Sequence, residues 1–211
     1  MPEPTTKTIL TAEEKQRIEQ AVAEAESRTS GELVPLIVDR SYDYPRAELV
    51  GAGCAALAGG LTLSWAFGDE SIWFFLPLYA VLFVLSFFLI RFTPGLKRRL
   101  IHPAEIDAEV EEKALVSFLE HGLHETRDRT GILILISLFE HRVRILADRG
   151  ISEKVPQQKW DTIVADIVQG IRQQRLCDAL CAAISECGEL LAESFPPRAD
   201  DTDELPNLIT D

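Results

Sequence analysis

The sequence predicts an α/β domain interrupted by a transmembrane helical hairpin, in the order α-β-[two transmembrane helices]-α-β-β-α-α. Three observations predict it. Residues 49–67 and 72–90 are each 19 residues long, carry no charge, and are separated by only four residues. The aliphatic run GILILISL at 131–138 is followed by an alternating one, HRVRILAD at 141–148. Amphipathic helical spacing lies on both sides of these features. The length fits as well, since 211 residues suit one soluble domain of ordinary size plus a membrane element.

Residues 1–10 form an N-terminal tail, and 11–46 the first part of the domain. Thr11-Ala-Glu-Glu14 is a capping box, in which hydroxyl and carboxylate each satisfy a helix-end N–H. The helix it opens runs to about Arg28, with Ile18, Val22 and Ala25 on one face. After Gly31, ELVPLIVD reads as a strand over 32–39. Pro35 has no N–H for a ladder, which predicts an edge or bulged strand.

The hairpin occupies 47–90, with spans at 47–67 and 72–90. A helix needs about 20 apolar residues to cross a hydrocarbon core of about 30 Å. A soluble hairpin this long and apolar all round needs a far larger protein to cover it. The short turn makes the two spans antiparallel neighbours. Arg40 and Arg46 precede the first, and Arg91, Lys97, Arg98 and Arg99 follow the second, whereas the turn carries only Asp69 and Glu70. The positive-inside rule then places both termini in the cytoplasm. Trp65 and Trp73 flank the turn as an aromatic belt does. Ala52, Ala56 and Gly60 form a small-residue face for close helix packing, against the second span in preference to a dimer. Pro77 is expected to bend the second span.

The second part of the domain covers 91–196. Pro103 opens a helix to about Arg127, with Ile106, Val110, Ala114, Phe118 and Leu119 inward. The run 131–138 is typical of a strand buried on both faces. Its successor alternates His141, Val143, Ile145 and Ala147 against Arg142, Arg144, Leu146 and Asp148, which makes it a hairpin partner. Trp160, Ile163, Val164, Ile167, Val168 and Ile171 have helical spacing, as do Leu176, Leu180, Ile184 and Leu191. Residues 197–211 are an acidic tail, predicted to be disordered.

A formal charge of −13 and a pI near 4.8 exclude a nucleic-acid binder. No secretory signal opens the chain. The four cysteines give no disulfide framework and fit a reducing compartment. Cys177, Cys181 and Cys187 share one helix; a metal or redox site at the i, i+4 pair is weighed against simple packing, which is preferred. His121 and His124 lack a third ligand in register and read as surface residues, and His102 as a headgroup neighbour. There is no GxSxG, P-loop, HExxH or dinucleotide fingerprint.

Two stretches carry a family resemblance: TGILILISLFEHRVRILADRGI (130–151) and WDTIVADIVQGIRQQRLCDALCAAISECGELLAESFP (160–196). The first resembles the buried strand, Arg-containing second strand and Gly turn of the TPM domain family, which includes thylakoid lumen phosphatase-like proteins. The second resembles its closing helix pair, with Gly170-Ile-Arg172 and Ala179-Leu180 at the junction. The resemblance implies a TPM-like α/β/α sandwich, of a bacterial membrane-anchored type. It also implies acid phosphatase activity and Ca or Mg held by acidic loops at one end of the sheet. The matching positions are Asp128 and Thr130 before the buried strand, and Asp148, Arg149 and Glu153 after the second. The acid the family places near Val155-Pro156-Gln157 is absent, and Asp128-Arg129-Thr130-Gly131 replaces its acidic turn. A hard cation wants several converging oxygens. Metal candidates are therefore Asp128, Asp148 and Glu153 only, no cofactor is expected, and no catalytic residue is assigned.

Arg127, Arg129, Arg142, Arg144 and Arg149 are the densest basic group, suited to a phosphate or a partner's carboxylate. The plainer reading is a strand face with surface ion pairs. The functional expectation is a membrane-anchored interaction, assembly or regulatory module at the cytoplasmic membrane face. Its partners would be the lipid bilayer and an unidentified membrane or cytoplasmic protein, with a homo-oligomer compatible. Two alternatives stand beside it. One is a cation-dependent phosphatase-like hydrolase; the other is a regulator of a membrane transporter or protease acting through the hairpin.

Overall fold

The computed structural model describes residues 5–69, 71–126, 129–197 and 205–210. The chain divides into two units, one built from residues up to Ser41 and from Asp107 onward, the other from Tyr42–Ile106.

The first unit opens with a short helix α1 (Thr6–Ile9) inside the expected tail, followed by α2 (Ala12–Glu26) and strand β1 (Glu32–Val38). The capping box forms: Glu14 N donates to Thr11 Oγ1 at 3.2 Å and Thr11 N to Glu14 Oε2 at 2.8 Å. After the second unit come α6 (Pro103–Glu120), a 3-10 turn (Leu123–Glu125), β2 (Gly131–Ser137) and β3 (Arg142–Ala147). The unit closes with α7 (Arg149–Ser152), α8 (Gln157–Arg172), α9 (Leu176–Ser194) and β4 (Ile209–Thr210).

The sheet order is β3-β2-β1-β4. β1 and β2 pair in parallel over seven residues, from Glu32↔Gly131 to Val38↔Ser137, although the whole hairpin lies between them in sequence. β2 and β3 are antiparallel. The structure corrects the edge assignment of β1, which lies between β2 and β4 with an unbroken register. Glu32 N donates toward β2 and Leu33 N toward Glu26 Oε1, so by alternation Pro35 faces away from β2. On that side β4 reaches only Leu36 and Ile37, leaving Pro35 no ladder to break. β4 also corrects the disordered tail, because residues 209–210 belong to the sheet.

Leu33, Ile37, Ile132, Ile134, Ile136 and Val143 form one core with α2, α8 and α9. Val34, Leu36, Leu133 and Leu135 point the other way and are equally buried. The opposite layer is α6, tied to β3 by ion pairs described below. This is the α/β/α sandwich. Gly170 belongs to the helix pair for a steric reason: a Cβ there would meet Ala179 Cβ at 2.2 Å. α6 stops earlier than expected, at Glu120, where Gly122 takes φ 73° and ends the helix. Its buried residues, Ile106, Val110, Ala114 and Phe118, step by four; Leu119 is rotated about 100° from Phe118 and is exposed, contrary to expectation.

The second unit is a helical hairpin, α3 (Pro45–Phe67) and α4 (Ile72–Arg91), followed by α5 (Pro94–Leu100). Both long helices are long and apolar enough to cross a membrane, and only 17% and 0% of their most apolar stretches is buried. α4 runs through Pro77 as one helix. Glu48, Ala52, Ala56, Gly60 and Ser64 form the buried stripe of α3. Gly60 is packed against Phe75, where a Cβ would meet the ring at 2.9 Å. Phe75, Tyr79, Phe83 and Phe87 stack in a ladder along α4. Gly60 on one helix thus receives a ring from the other, and Ala52 and Ala56 lie on the same buried stripe.

Candidate functional site

Two ends of the sheet hold the polar groups of interest. At the first, the starts of β1 and β2 meet the end of β3. Thr130 is buried and donates from Oγ1 to the Ser30 carbonyl at 2.9 Å, and Asp148 N donates to Gly131 O at 2.9 Å. Asp148 is the N-cap of α7, its Oδ1 accepting from Arg149 N at 2.6 Å. Its Oδ2 is buried without a hydrogen-bond partner and lies 3.9 Å from Arg129 Nη1. Arg129 holds a left-handed backbone at φ 57°, uncommon for a residue with a Cβ. Arg149 Nε donates to Glu153 Oε1 at 2.8 Å one turn further, and that bond raises the guanidinium pKa.

The five arginines do not make one site. Arg142 Nε donates to Asp107 at 2.7 Å and Arg144 pairs with Glu111, both across to α6. Asp107 and Glu111 are i, i+4 neighbours, so these pairs form a short exposed ladder between β3 and α6. Arg129 and Arg149 sit beyond the end of β3, with Asp148. Arg127 and Asp128 lie outside the described residues.

Of the three metal candidates, Asp148 and Glu153 lie among the described residues, and both are engaged within the chain. Ca or Mg needs several oxygens converging on one point. Asp148 Oδ1 caps a helix, Asp148 Oδ2 faces a guanidinium, and Glu153 is held by Arg149. Among the described residues no three His, Cys, Asp or Glu side chains are grouped for a metal.

The second end lies at the C-terminal ends of β1 and β2, where open α/β sheets usually bind ligands. Here sequence reasoning missed a buried network. Glu140 is 1% exposed; its Oε1 accepts from Ser41 N at 3.0 Å and its Oε2 is bonded to Ser137 Oγ. Ser41 Oγ and Ser137 Oγ are 3.1 Å apart. Asp39 accepts from Thr6 N at 2.6 Å, which brings α1 onto the strand end. The signal was present in the sequence as one acid directly after the apolar pair Leu138-Phe139, at the end of an aliphatic strand. The chain's own atoms fill this end and satisfy its polar groups.

Cys177 and Cys187 are buried on α9, and Cys181 is partly exposed. Cys177 Sγ lies 3.7 Å from Glu14 O and Cys181 Sγ 3.9 Å from Arg17 O. Burial, then the neighbouring Cys181, pushes Cys177 up to about 11; burial pushes Cys187 up to about 12. Cys177 and Cys187 are therefore held in the thiol form at neutral pH, unlike metal-binding or nucleophilic thiolates. They pack.

Residues 100–190 match the family model described as the TPM domain. This span contains β2, β3, α8 and most of α9. Among solved structures, the chain is similar to the BA42 protein of the psychrophilic bacterium Bizionia argentinensis, determined by NMR. The two are 24% identical with a TM-score of 0.57, over 95% of this chain and 94% of that one. That likeness shows the fold. No curated protein matches the chain. Residues 100–190 are thus similar to the TPM domain, and they lie in an α/β unit that an apolar helical hairpin divides in sequence.

Proposed function

We propose that the chain is a membrane-anchored TPM-domain module that acts by binding another protein at the cytoplasmic membrane face, with both termini cytoplasmic. One observation carries the anchor: two helices of about 30 Å or more leave all but 17% and 0% of their most apolar stretches unburied. Trp65 and Trp73, 84% and 85% exposed at the turn, suit an interfacial belt. The interaction role is supported by where the polar groups go. Arg142, Arg144 and Arg149 are engaged by the chain's own acids, and the ligand-binding end of the sheet is filled by α1 and Glu140. In the sheet-bearing unit, the exposed large apolar side chains, Leu115, Val116 and Leu119, all lie on α6.

A phosphatase-like hydrolase is the second reading, favoured by Asp148 Oδ2, a buried carboxylate oxygen without a hydrogen bond. The purified full chain separates the two. The interaction reading expects no phosphate release from a generic phosphomonoester with Mg²⁺ or Ca²⁺. It also expects a protein captured in mild detergent to be lost from Leu115→Ser/Leu119→Ser. Hydrolysis that disappears in Asp148→Asn would replace the interaction reading with the enzyme.

A further inference from the structure

The hairpin unit sorts its charges by face. Glu48 lies on the buried stripe of α3 and accepts from Lys97 Nζ at 2.6 Å, the two side chains being 9% and 6% exposed. Lys97 also donates to the Asp43 carbonyl. This lysine is internal, its charge matched where it stands. Three arginines are placed oppositely. Arg46 is exposed one turn ahead of Leu49 and Val50, at the head of the outward stripe that continues through Leu57 and Leu61. Arg91 follows Phe88 by three residues, at the end of the outward stripe Val81, Val84 and Phe88. Its Nη1 is 3.7 Å from Glu48 Oε2, yet the side chain remains 56% exposed. Arg99 is exposed on α5 beside the exposed Leu100. Tyr42 and Phe92 are exposed near the same helix ends. Residues 40–48 and 91–99 carry six basic side chains against two acids, in a chain whose formal charge is −13.

We propose that this collar binds the phosphate of an anionic phospholipid headgroup through Arg46, Arg91 and Arg99, with the Glu48–Lys97 pair bracing the helix ends beneath it. The inference rests on the membrane reading above. Arg46 and Arg91 stand where an acyl-facing stripe ends, so stripe and cation meet the tail and headgroup of one lipid. The guanidinium fork suits phosphate oxygens. A basic residue beside a span favours anionic lipid by about fivefold. The turn at the other end offers Asp69 and Glu70, which repel the same headgroup.

The test uses the full chain reconstituted in phosphatidylcholine vesicles containing a trace of spin-labelled phosphatidylglycerol or spin-labelled phosphatidylcholine. The motionally restricted fraction of each label gives their relative association. Phosphatidylglycerol should be preferred more than tenfold, and the preference should shrink toward unity in Arg46→Gln/Arg91→Gln/Arg99→Gln and in high salt. Circular dichroism of the vesicles checks that the triple variant is inserted and helical. If it is not, the single variants Arg46→Gln and Arg99→Gln carry the test, each losing about fivefold. Equal association of both labels, or an undiminished preference in the variants, overturns the inference and leaves the membrane reading standing. Failure of the chain to enter vesicles of either composition overturns both.

Discussion

The two units solve the same packing problem in opposite ways. In the sheet-bearing unit, β1 and β2 are buried and almost wholly apolar, and apart from the buried Glu32 and Glu140 the charges of the sheet pair outside it, between β3 and α6. In the hairpin unit the order is inverted. Its buried seam is made of small residues and an ion pair, while Leu, Val, Phe and Trp face outward. Hydrophobic burial holds the first together in water. The second gains little from burying apolar side chains if lipid surrounds it, and relies on close contact between Gly60 and Phe75 and on the aromatic ladder.

The largest expected effect comes from cutting the chain between these regions. β1 lies before the hairpin and its partner β2 after it, paired along all seven residues. A protein starting at residue 100 lacks α2 and β1 and should show no cooperative thermal melt by circular dichroism. Replacing residues 46–99 by a flexible linker should keep the melt, since each doubling of loop length costs only about 0.6 kcal/mol. If the shorter protein folds as stably as the linked one, the two-part domain is wrong.

The next effect sets one ion pair against another. Lys97→Ala leaves the buried Glu48 carboxylate with only the more distant, exposed Arg91 and should destabilise the hairpin unit by about 3 kcal/mol. Arg142→Ala breaks a pair of similar length, 2.7 Å, but an exposed one, and should cost about 1 kcal/mol or less. Denaturation of each variant in detergent measures both. Equal losses would remove the contrast between the two regions.

A smaller effect belongs to the thiols in the core of the sheet-bearing unit. Cys187 titrates near 9 when unfolded and is pushed up to about 12 by burial when folded. A folded value above the unfolded one means stability is intact below pH 9 and declines as pH rises toward 12. Cys187→Ala should therefore lose less stability between pH 8 and pH 10.5 than the unaltered chain, read as the shift in melting temperature. Parallel losses in both proteins would show that this thiol is not the cause.

Much of this was legible in the sequence because it is local. Apolar runs of 19 residues, the alternation after residue 141 and the Thr11–Glu14 box each determine their element without distant help. What was not legible depends on contacts far apart in the chain. The two residues of β4 become a strand only because Leu36 and Ile37 lie beside them. Pro35 looked like an edge residue because nothing local shows that β4 stops short of it. The five arginines looked like one basic group, yet the sheet sends Arg142 and Arg144 to α6 and Arg149 to its own helix. Glu140 was passed over because its partners, Ser41 and Ser137, come together only in the fold.

The central claim is that the hairpin spans a membrane and returns the chain to the cytoplasm. Reporter fusions at Asp69 and after Asp211 test it most directly, using a phosphatase active only outside and a fluorescent protein that matures only inside. The account predicts an external signal at the turn and a cytoplasmic one after Asp211. A cytoplasmic signal at the turn with an external one after Asp211 would reverse the orientation, and cytoplasmic signals at both would contradict the span itself.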